Sequence, residues 1–76
     1  MTKKQIETLK HKAQLMVRQY AHDTDKIMEE IKRINNFIQE AYENYLINDY
    51  SDVLKLQREI GAAAMEELEK VIKEVA

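Results

Sequence analysis

The stretch Asn48-Asp49-Tyr50-Ser51-Asp52 decides how this chain folds. Residues 48–51 are poor helix formers grouped between two long runs of good ones. Ser51 suits the N-cap position, where a side-chain oxygen accepts from a free backbone N–H. Asp52 then falls in a first turn, where its charge suits the helix dipole. The reading is one helix ending near residue 48 and another beginning at 52.

Working outward, the apolar spacing supports a helix on each side. Forward of the break it runs Val53, Leu56, Ile60, Ala64, Leu68, Val71 and Val75, with Ala63 and Ile72 beside it. Backward it runs Ile27, Ile31, Ile34, Ile38, Ala41 and Tyr45, widened by Met28, Phe37, Tyr42 and Leu46. Further back, Ile6, Leu9, Ala13, Met16 and Tyr20, with Val17, repeat the pattern. Steps of three and four are the mark of a helix that buries one stripe. With no proline and a single glycine, little is left from which to build β-turns. The chain reads as all-α, a single helical domain over residues 1–76.

A second break is suggested at His22-Asp23-Thr24-Asp25. Arg18 and His22 precede it and suit a helix C-terminus; Asp23, Asp25, Glu29 and Glu30 follow and suit an N-terminus. Asp23 or Thr24 can cap. No glycine is present for a left-handed C-cap, and the stripe can also run through as Tyr20, Thr24, Ile27. Two architectures follow. One is an antiparallel three-helix bundle of segments about 3–22, 25–48 and 52–75. The other is a long-helix hairpin that associates with another chain through its N-terminal segment.

A turn at 49–51 predicts a hairpin in which facing residues have numbers adding to about 100. Gly61 and Ala64 then lie against Phe37 and Ile38, small residues meeting bulky ones. Close helix packing would explain a mid-helix glycine. It predicts that Gly61→Leu overpacks the core, at about 1–3 kcal/mol.

The net charge of −2 conceals an asymmetry. Residues 1–22 carry five basic side chains against Glu7 alone; residues 23–76 carry seven basic and thirteen acidic ones. The basic segment either packs beside the acidic one or meets an anionic partner. The sequence pI of about 5.7 argues against a nucleic-acid domain of the usual basic kind. Without cysteine, disulfides and thiolate zinc sites are excluded, and small size makes oligomerisation the remaining common source of extra stability. No apolar run approaches the length needed to cross a bilayer, and the start does not read as a signal peptide. The expected location is cytoplasmic.

Sites for chemistry are not apparent. His11 and His22 stand about 16 Å apart along a continuous helix, too far to share a metal. The carboxylate groups at Glu29/Glu30, Glu40/Glu43 and Glu66/Glu67/Glu69 read as solvated faces, supported by i, i+4 pairs Glu29–Arg33, Glu66–Lys70 and Glu69–Lys73. No catalytic residue, metal site or cofactor is assigned, and the expectation is a protein that is not an enzyme. Contact residues are assigned instead: Lys3, Lys4, Lys10, Lys12 and Arg18 on the basic segment, and Tyr42, Tyr45 and Tyr50 at the corner. Tyrosine joins apolar area to a polar tip, which suits interfaces.

The expected function is that of a small helical interaction protein that self-associates, as a dimer or larger, and binds or inhibits a protein partner. Size and Asn/Tyr/Lys/Ile content suit a phage or mobile-element accessory protein. The alternative is an oligomeric binder or sequestering protein for a phosphate-bearing small molecule or nucleic acid, using the basic helix and the tyrosines.

Overall fold

The computed structural model describes residues 2–75. Their helices are α1 (Lys3–Gln19), α2 (Thr24–Glu43) and α3 (Tyr50–Val75). All three pack on one another, most extensively α1 with α3, so the chain is a three-helix bundle. The break at 20–23 is real, and the continuous long helix is excluded. α1 and α3 run parallel: Lys10 pairs with Glu59 and Arg18 with Glu67, a constant offset of 49 residues. α2 runs antiparallel to both.

The first reversal is made without glycine. Tyr20 closes α1 at φ −115°, ψ 30°, with its N–H donating to the Met16 carbonyl. Asp23 then caps α2, accepting from the Lys26 N–H at 3.0 Å. The bend is held by the Asp23 N–H on the Tyr20 carbonyl, 2.9 Å, and by the Lys26 ammonium 5.6 Å from the Tyr20 ring centroid. α1 therefore ends three residues earlier than the pattern predicts.

The second reversal departs further from expectation. α2 stops at Glu43, not near 48, and α3 begins at Tyr50. The Leu46 N–H donates to the Ala41 carbonyl at 2.8 Å and the Tyr45 N–H to the Tyr42 carbonyl at 3.1 Å. These two bonds form a Schellman motif, whose left-handed position is usually glycine. Here it is Tyr45, at φ 63°. Asp49, not Ser51, caps α3, accepting from the Ser51 N–H at 3.0 Å. Ser51 lies inside the first turn.

This longer connection resets the hairpin register. Tyr42 meets Tyr50, and the Gln57 side chain donates to the Asn35 carbonyl at 3.3 Å; both pairs add to 92. Relative to the expected sum near 100, the residue that faces any given position moves by eight places, about two turns. Ala64 thus lies level with Met28, not with Phe37. Ile38 is fully buried, while Phe37 is half exposed. An added Cβ on Gly61 meets nothing within 4 Å, so close packing does not explain that glycine. α3 also outruns its neighbours: by this register residues 69–75 project past α2 and past the end of α1.

The core follows the apolar stripes closely. Leu9, Ala13, Met16 and Val17 of α1, Ile27, Ile38 and Ala41 of α2, and Val53, Leu56, Ile60 and Ala64 of α3 form one cluster, closed at the corner by Ile47. Ile47 takes the place expected of Tyr45 and Leu46, which the left-handed turn swings outward.

A tyrosine at positive φ stores strain. The left-handed region costs an L-residue roughly 1–2 kcal/mol, and glycine recovers part of that at the cost of a freer unfolded chain. The Tyr45 ring is 88% exposed, so little packing is lost on removing it. Tyr45→Gly is expected to raise stability by about 0.5–1 kcal/mol, read as a higher midpoint in thermal denaturation. A fall would mean that the ring holds the corner together.

Candidate interaction surfaces

The basic residues of α1 do not form one site. Arg18 reaches across to α3, where its guanidinium grips Glu74 with two hydrogen bonds of 2.9 and 3.1 Å and also bonds Glu67. Glu67 is the buried charged residue of the core, and Arg18 together with Lys70 at 4.0 Å compensates it. Lys10 lies 3.6 Å from Glu59 and 3.8 Å from Glu7. Two of the five cations are thus spent joining the basic helix to the acidic one. Lys3, Lys4 and Lys12 make no ion pair with the described residues. The ion pairs within single helices are i, i+3: Glu7–Lys10, Lys26–Glu29, Glu30–Arg33 and Glu67–Lys70. The expected i, i+4 pairs Glu29–Arg33, Glu66–Lys70 and Glu69–Lys73 do not form.

The bidentate Arg18 bonds hold the Glu74 carboxyl below the usual carboxylate range, with the coulombic field of Arg18 and Lys70 adding to them. A depressed pKa contributes stability that is complete above the unfolded value. That contribution is lost as pH falls through the folded one. Arg18→Gln should therefore lower the melting midpoint at pH 7, and the gap between the two proteins should narrow as pH falls and the Glu74 carboxyl of the wild-type chain takes up its proton. Thermal melts at neutral and acidic pH check this, and an equal gap at the two would show that the pair is idle.

The corner gathers the tyrosines but not the lysines. Tyr42 and Tyr50 meet edge to face, ring centroids 5.2 Å apart at 70°. Tyr42 is half-buried against the core; Tyr50 is about half exposed and Tyr45 almost wholly so. The shallow pocket here is lined by Tyr42, Glu43, Tyr45, Ile47 and Asn48, with no cation. The Asp49 carboxyl beside it is lowered by hydrogen bonds from the Ser51 backbone and then from its side chain. A combined lysine–tyrosine anion site is therefore not assembled within one chain. Lys4 and Lys12 instead flank exposed Phe37 across an open groove between α1 and α2, with Thr2, Gln5, Thr8 and Leu9.

Among the described residues, no three His, Cys, Asp or Glu side chains are grouped to hold a metal, and no helix is long and apolar enough to cross a membrane. Exposed apolar side chains are the feature that remains. They include Met28 and Phe37 on α2, Tyr45 and Leu46 at the corner, and Leu54, Met65, Ile72 and Val75 along α3. Of those on α3, Val75 and Ile72 fall in or beside the apolar stripe of the sequence, yet both are exposed. No protein-family model, curated protein or solved structure matches the chain. The fold and these surfaces define its class, a small helical bundle with apolar faces left open.

Proposed function

We propose that this chain is a non-enzymatic interaction protein that self-associates and binds or inhibits a protein partner. The carrying observation is the set of large apolar side chains left open on a bundle with a radius of gyration of 13.0 Å. They range from Tyr50, 46% exposed, to Tyr45, 88% exposed. So many large apolar side chains open to solvent on so small a body favour a place where another molecule sits. The tyrosine corner supports the partner half of this reading. Tyr45 is kept in a strained backbone conformation although its side chain is almost wholly exposed, and such strain gathers at working surfaces. Sedimentation equilibrium from micromolar to millimolar concentration tests the self-associating half, and a monomer throughout would remove it.

A second reading is favoured by Lys4 and Lys12 beside Phe37, an arrangement of cations around an aromatic face that suits a phosphate-bearing small molecule or a nucleic acid. Thermal midpoints with added nucleotides and oligonucleotides separate the two readings, because a ligand that binds only the folded state raises the midpoint. No rise at low salt would sink the second.

A further inference from the structure

The outer face of α3 carries a second stripe, which borders the core stripe at Leu68. It runs Leu54, Arg58, Gly61, Met65, Leu68, Ile72, in steps of four and three. Leu54 and Ile72 are eighteen residues apart, five full helical turns, so they share one azimuth about 27 Å apart along the axis. Leu54, Met65 and Ile72 are each about half exposed, and Leu68 is only partly buried. Met28, 66% exposed, lies level with Met65 on neighbouring α2. Gly61 opens a gap in the middle of the stripe, facing empty space. A glycine inside a helix costs about 1 kcal/mol relative to alanine, and no close contact among the described residues accounts for it.

We infer that this face of α3 is the self-association surface, and that a second copy docks on it antiparallel about a twofold axis. This rests on the self-association reading above and adds to it the surface, the orientation and the occupant. Three features single out another copy. The stripe is its own complement when reversed. With facing numbers adding to 126, Leu54 meets Ile72 of the second copy, Met65 fills the gap at Gly61, and the aliphatic stem of Arg58 covers Leu68.

Charge gives the same register. Arg58 comes beside Glu69 of the second copy, Lys55 beside that same glutamate's turn, and Asp52 beside Lys73. None of these side chains has an ion pair with the described residues, whereas Glu59, Glu67 and Glu74 on the inner side are all paired. A parallel arrangement would set Lys55 against Lys55 and Glu69 against Glu69, which is repulsive. Finally, the end of α3 that runs past the other two helices, residues 69–75, is held on its inner side by buried Val71 and by the Arg18–Glu74 bonds, and its outer side falls level with residues 51–57 of the second copy. The interface is isologous, as a closed dimer requires.

The test uses the absence of cysteine among the described residues and in the sequence. Leu54→Cys and Ile72→Cys are prepared separately, both at exposed positions where the fold tolerates the change. Mixed and oxidised, they should form a disulfide-linked dimer, while neither alone should, since like positions stand roughly 27 Å apart along the axis. Sedimentation equilibrium accompanies the cross-linking. A dimer in solution that gives no mixed disulfide, or that links Leu54→Cys to itself, overturns this surface and leaves self-association standing. A protein that is monomeric throughout overturns both. A charge swap supplies a second readout: Glu69→Arg should weaken the dimer about tenfold, and Arg58→Glu in the same chain should restore it. A double variant no tighter than the single one would also overturn the proposed register.

Discussion

Ile60→Ala should unfold a large part of this protein at moderate temperature. Ile60 has no exposed surface and belongs to the central cluster with Val17, Ile38 and Val53. Removing three buried carbons forfeits their transfer energy and leaves a cavity, together about 2–5 kcal/mol. A chain of this length has roughly 4–11 kcal/mol of stability at the usual 0.05–0.15 per residue, so the loss is a large share. For a domain of this size it corresponds to a fall in midpoint of about 4–8 °C per kcal/mol. Ile60→Val should cost only about 0.5–1.5 kcal/mol. Thermal denaturation followed by circular dichroism measures both. Ile72→Ala at low protein concentration is the control, because Ile72 is more than half exposed. If Ile60→Ala were as mild as that control, the two faces of α3 would have been assigned the wrong way round.

That contrast shows what the residue pattern conveys and what it does not. The stripes from Ile6 to Val17, Ile27 to Ala41 and Val53 to Val71 read directly as core, because burial of one helix face leaves a period that needs no tertiary information. The break at 20–23 is also visible, in the charges that change sign across it and in Asp23 as a cap. The corner at 44–49 is hidden for a specific reason. Its signal residue is normally glycine, and Tyr45 takes the left-handed conformation instead, so a Schellman stop looks like continued helix. From that one concealed residue the other errors descend. The loop is twice as long as expected, the register moves by about two turns, and Gly61 and Ala64 leave Phe37 behind. The basic surface was legible as an asymmetry but not as a set of partners. Which of five cations reach Glu59, Glu67 and Glu74 depends on the parallel offset of α1 against α3, and no local pattern carries that offset.

Gly61→Ala is the second large expectation, and its sign opposes the one that the sequence suggests. If Gly61 filled a tight contact, any side chain there would overpack the core. Because an added Cβ meets nothing, the substitution should leave the core alone and remove the helix penalty of glycine, a gain of about 1 kcal/mol. At concentrations where the protein is a monomer, the midpoint should rise by about 4–8 °C. The same methyl group lies on the outer stripe of α3, facing the position proposed for Met65 of a second copy. There it should hinder association, so the gain should shrink as protein concentration rises and the wild-type chain is stabilised by mass action. A rise that is independent of concentration would confirm the open glycine but deny it a role between copies. A fall at low concentration would return Gly61 to the interior and restore the tighter hairpin register. The two effects of one added carbon, on the helix and on the contact, are separated by dilution alone.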